Sequence, residues 1–176
     1  MGTWAAYLAC QASSDAEKLL PAGDTWGPDR WEEAVAPGWS VAETEILAVA
    51  DPEAVLAQTR GHALLAFVLD SDFAHVMGAV DGDTRWELYL NEHHAEAYDY
   101  PLPEVTYAQN ADLHRQIADW IKAATGNIVS PEQVRKVVST RRVFADDALR
   151  SLLYVFGIVT EHLSFGDDLP HVVRSC

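Results

Sequence analysis

Ala63-Leu64-Leu65-Ala66-Phe67-Val68-Leu69 is a continuously apolar run that stops abruptly at Asp70-Ser71-Asp72. A run of this length, bounded by turn residues, predicts a central strand covered on both faces. Residues 75–80 and 84–90 follow as two further strands, with Asp81-Gly82-Asp83 between them. Asp-Gly between two such runs is the strongest short-range hairpin signal, because both central residues of a type I′ turn need positive φ. The middle of the chain is therefore expected to hold a buried central strand followed by a hairpin.

Working outward, the apolar segment Thr3-Trp4-Ala5-Ala6-Tyr7-Leu8-Ala9-Cys10 predicts a buried strand that ends at a helix cap in Ser13-Ser14-Asp15. A short helix over 15–20 then stops at Pro21. Residues 22–38 mix Gly, Pro and Asp with Trp26 and Trp31 and read as an ordered loop pinned by tryptophans. Residues 39–50, with Val41, Ile46, Leu47 and Val49, predict another strand. Asp51-Pro52-Glu53 opens a short helix, cap followed by proline, that runs toward Gly61. A further short helix is expected over 92–98 before Pro101 and Pro103.

The last third is helical. Asn110 caps a helix with Leu113, Ile117, Trp120, Ile121 and Ala124 on one face and Asp112, Arg115, Gln116, Asp119 and Lys122 on the other. Gly126 ends it. Ser130-Pro131-Glu132-Gln133 is a capping box that starts a second helix, and a third runs from Phe144 or Ala145 to Phe156, closed by Gly157. The expected fold is α+β: a mostly antiparallel or mixed sheet of four to five strands with short helices, followed by a three-helix part packed on it. A chain of 176 residues with 49% hydrophobic content suits a single domain over 1–176, an acidic α+β part (1–107) joined to a helical part (108–176).

Charge is segregated along the chain. The net charge is −15, and residues 108–176 contain eight acidic and eight basic residues. The other nineteen acidic and four basic residues precede position 108, so that part carries the whole imbalance. Such a field repels nucleic acid and anionic membrane and favours a basic partner. Arg135, Lys136, Arg141 and Arg142 lie among short helices, but a DNA-reading domain would be basic, and this one is not. Cys10 and Cys176 make no disulfide framework, the first ten residues do not read as a secretory signal, and no run of about 18 apolar residues forms a membrane span. A cytoplasmic protein is expected.

Candidate chemistry centres on Asp70 and Asp72, since two carboxylates at the end of a buried strand can share a divalent cation such as Mg or Mn. Asp81 and Asp83 would join them in one acidic bowl if the strand directions allowed it. Glu92-His93-His94-Ala95-Glu96 with Asp99 holds metal-ligand types, although adjacent histidines are expected to point apart and only His93 with Glu96 shares a helix face. Cys10 lies in an apolar strand, where a free cysteine behaves as a small hydrophobe. Trp26 and Trp31, with the neighbouring Glu32 and Glu33, are candidate partner-binding residues, because aromatics dominate interface hot spots.

Leu65-Ala66-Phe67-Val68-Leu69-Asp70-Ser71-Asp72, the Gly-centred hairpin with Trp86 and Tyr89, and Phe144-Ala145-Asp146-Asp147-Ala148-Leu149 with Leu152-Leu153 and Phe156-Gly157-Ile158 resemble a group of small uncharacterised bacterial α+β proteins. The similarity spans residues 60–160, and the Ala-, Asp- and Trp-rich composition is similar to that of high-GC actinobacterial proteins. It implies a fold and no activity. Two functional expectations of different class follow. The first is a soluble, non-catalytic protein-binding module without cofactor, of immunity or regulatory type, that binds a basic protein. The second is a small divalent-metal-dependent hydrolase or transferase using Asp70 and Asp72.

Overall fold

Both hairpin turns of the central stretch form, each with left-handed backbone. Asp81 and Gly82 have φ of 50° and 87° and join β4 (Phe73–Val80) to β5 (Asp83–Leu90) in a two-residue turn. Asp70 and Ser71 have φ of 50° and 60° and join β3 (His62–Leu69) to β4. The computed structural model describes residues 4–11, 13–20 and 35–160, so Trp26, Trp31, Glu32, Glu33 and Cys176 lie outside the described residues.

The sheet has five strands in the order β2-β1-β3-β4-β5, where β1 is Ala5–Gln11 and β2 is Trp39–Glu45. All four pairings are antiparallel. The apolar run forms the middle strand, and Ala63 through Leu69 are buried on both faces. Register puts Tyr7, Ala66, Val76 and Leu88 in one cross-strand row and Phe67, His75 and Tyr89 in a row on the opposite face.

Three short elements connect the strands. α1 (Ala16–Leu19) follows β1, and α2 (Pro52–Leu56) starts at Asp51, whose side chain accepts from the Ala54 amide. The second strand is shorter than its β-branched content suggests. It ends at Glu45, and Ile46–Ala48 turns into a 3₁₀ segment whose first amide donates to the Trp4 carbonyl at 3.4 Å. Another 3₁₀ segment, Glu92–Tyr98, follows β5.

α3 (Ala111–Thr125), α4 (Pro131–Ser139) and α5 (Ala145–Phe156) form the helical third. Asn110 caps α3 through the Leu113 amide, Gly126 ends it at φ 77°, and both arms of the Ser130–Gln133 capping box are made. The apolar stripe of α3 faces the sheet. Trp120 meets Trp86 edge-on at 5.5 Å between ring centroids, and both touch Phe156 of α5.

A β-bulge locks this packing. Register shifts between Gly78 and Ala79, leaving Arg85 as an extra residue on β5. Two α3 side chains take up carbonyls at the bulge: Trp120 Nε1 donates to Ala79 O at 3.1 Å, and Gln116 Nε2 donates to Arg85 O at 2.6 Å. Gly78 lies opposite Trp86, and a Cβ there would come within 2.1 Å of the indole. Gly78→Ala should therefore destabilise the chain by about 1–3 kcal/mol, as overpacking does. A urea unfolding curve checks this, and an unchanged midpoint would show that the indole can move aside freely.

Candidate functional site

The tip of the β3–β4 hairpin is fixed by backbone polar groups from three elements. Ser71 is buried, and its carbonyl accepts from the Ala145 amide at 2.6 Å, so the tip satisfies the first turn of α5. Asn91, buried and left-handed at φ 54°, donates through Nδ2 to Asp72 O at 3.0 Å and Arg142 O at 3.1 Å. Its Oδ1 accepts from the Arg142 amide at 3.2 Å. One amide side chain thus ties the hairpin tip to the connection between α4 and α5.

Aromatic side chains complete this end of the sheet. Tyr98 donates its hydroxyl to Asp72 Oδ2 at 3.3 Å, and its ring stacks over Phe73 at 6.0 Å and 17°. Trp4 meets Tyr98 edge-on at 6.0 Å. Burial holds the Tyr98 phenol above its ordinary value, and the neighbouring Asp72 and Asp70 carboxylates add to the rise. Large apolar groups remain in solvent around the tip: Trp4 is 49% exposed, Leu47 90%, Val143 82% and Phe144 52%. Leu47 sits in the 3₁₀ segment hydrogen-bonded to Trp4, and Phe144 immediately precedes the amide bound to Ser71. Trp4, Tyr98 and Asp72 thus form one connected aromatic and acidic surface at this end of the sheet.

The other sequence candidates are spread over the molecule. Asp81 and Asp83 lie at the opposite end of β4 from Asp70 and Asp72, roughly 25 Å away for eight extended residues, so the four do not form one bowl. Asp81 instead braces its own turn, where its Oδ1 accepts from the Gly61 amide at 2.8 Å. His93 and His94 do not diverge, and their rings lie 4.1 Å apart at 42° in the 3₁₀ segment. Glu92 accepts from the Tyr107 amide at 2.9 Å, and His114 is buried with Nε2 at 2.8 Å from Tyr107 O. Among the described residues no group of three or more His, Cys, Asp or Glu is placed to hold a metal ion.

His75 forms a separate cluster on the sheet face away from α3. Its Nε2 lies 3.1 Å from Glu87 Oε2, and its ring meets Tyr89 and Tyr100 edge-on at 5.2 and 5.4 Å. Burial lowers the His75 pKa, and Glu87 opposes that shift. Cys10 is fully buried with Sγ 3.4 Å from Ser40 Oγ, and burial raises its thiol pKa. Arg135 pairs with Glu132 one turn earlier on α4. No described helix is long and apolar enough to cross a membrane.

Sequence reasoning singled out Asp70 and Asp72 as a metal pair and did not group Asn91, Tyr98, Trp4 and Phe144 with them. Only Trp4 carried a signal, as one of four tryptophans in the first forty residues. No family model matches the chain, and no curated protein or solved structure matches it either.

Proposed function

We propose that this chain is a non-catalytic binding module for a basic protein, acting in an inhibitory or regulatory role of the immunity type. The observation that supports the reading is the acidic excess of the sheet-bearing half. Lys18 pairs with Asp15 and Arg85 with Asp83, each within a few residues of its partner, which leaves Arg60 as the remaining described cation before residue 108. The carboxylates of Glu45, Glu53, Glu96 and Glu104 are exposed around the same half. A field of one sign steers oppositely charged partners and repels polyanions. Beside that field, the exposed aromatic and apolar end of the sheet supplies contact area of the kind interfaces use.

The test is capture from the source cell at low and high salt, with the wild-type chain and the variant Glu45→Gln, Glu53→Gln, Glu96→Gln and Glu104→Gln in parallel. A specific basic protein should be held by the wild type at low salt, released at high salt and depleted by the variant. Recovery of the same basic proteins in equal amounts by both chains would overturn the reading.

The competing metal-dependent reading of Asp70 and Asp72 makes an opposite prediction. A thermal-shift screen with Mg, Mn, Ca and Zn should give no cation-specific stabilisation under the binding reading, since a specific site would raise Tm by mass action. A shift that disappears in Asp72→Asn would favour the hydrolase or transferase instead.

A further inference from the structure

Resting on the reading above, we propose that the basic partner docks on the end of the sheet around the β3–β4 tip, and that this face receives an arginine side chain. The arginine stem lies along the exposed Trp4 indole, and its guanidinium turns toward the Asp72 carboxylate. Three observations converge there. Trp4 is half exposed although it immediately precedes a buried strand, and its ring leans on Tyr98. Tyr98 joins that ring to Asp72 through its hydroxyl, so aromatic face and carboxylate are held in fixed relation. Leu47 and Phe144, the first in the segment bonded to Trp4 and the second beside the Ser71 contact, give the apolar margin that surrounds a desolvated anchor.

Charge selects the occupant. A second copy of a chain of net charge −15 is repelled, as are anionic lipid and nucleic acid. Arginine suits the site better than lysine, because a planar guanidinium stacks on an aromatic ring and bonds a carboxylate through two N–H groups at once.

The experiment is an NMR titration of the full chain with acetyl-Gly-Arg-Gly-Arg-Gly-amide and with its citrulline twin, which keeps shape but lacks charge. The arginine peptide should move the Trp4 indole N–H resonance saturably, with the citrulline peptide about tenfold weaker or worse. The backbone amides of Asp72 and Tyr98 should shift with the same saturation; Trp4→Ala, which removes the indole reporter, should abolish those amide shifts, and Asp72→Asn should weaken binding about fivefold or more. Trp4 is surface-exposed, so its variant stays folded even if Asp72→Asn does not, and Tyr98→Phe tests the hydroxyl link with the ring retained. The charge-matched control Asp83→Asn, at the far end of β4 from Asp72, should leave the titration within about twofold of wild type. If the arginine peptide binds but its shifts map to other carboxylates and Trp4→Ala changes nothing, this docking face is wrong while the basic-partner reading stands. If neither peptide saturates and no basic protein is captured at low salt, both fall together.

Discussion

Replacing Trp120 with alanine should destabilise the chain by about 3–5 kcal/mol, the range for removing a buried aromatic from a packed core. The indole is 5% exposed and touches Trp39, His62, Trp86 and Phe156, so it joins strands β2, β3 and β5 to α5. Its N–H also satisfies the Ala79 carbonyl at the bulge. Trp120→Phe keeps much of the apolar volume but deletes that donor, and should cost about 1–3 kcal/mol. Urea unfolding at constant m-value separates the two. A loss below about 1 kcal/mol for the alanine variant would mean that α3 does not seal the sheet through this residue.

Asn91→Ala carries the second large effect, about 2–4 kcal/mol. Three hydrogen bonds disappear, and the Asp72 and Arg142 carbonyls and the Arg142 amide lose a partner in a buried site. Alanine also tolerates the left-handed backbone at φ 54° less well than asparagine. Asn91→Gly removes the hydrogen bonds while easing the backbone, so it should fall between wild type and alanine. Either variant should also loosen the hairpin tip from the start of α5 and weaken partner binding. Full retention of both stability and binding would show that the clamp is dispensable.

The fold was legible where local chemistry dictates conformation. Asp81-Gly82 announced a hairpin turn, which forms with two positive φ values, Ser130-Pro131-Glu132-Gln133 announced a cap, and the run from Ala63 to Leu69 announced burial on both faces. Residues 46–48 misled because Ile46 and Leu47 have apolar bulk suited to a strand, yet Leu47 projects into solvent beside Trp4. Periodicity reads side-chain type and does not see what a residue will face. The surface at the sheet end was hidden for a stronger reason. Trp4, Asp72, Asn91, Tyr98 and Phe144 come from five separate segments, and only strand order and hairpin direction bring them together. Asp81 and Asp83 show the same limit in reverse, since one antiparallel strand moved them to the far end of the sheet.

Electrostatic recognition of a basic protein is tested most directly by the association rate of the purified partner as a function of salt. The rate constant should fall by about tenfold or more as the Debye length shortens from about 10 Å at 0.1 M to about 3 Å at 1 M. Dissociation should change by much less. The variant with Glu45, Glu53, Glu96 and Glu104 replaced by glutamine should start from a slower rate and show a shallower salt dependence. An association rate that is flat with salt and equal in both chains would contradict the claim that the acidic half exists to meet a basic partner.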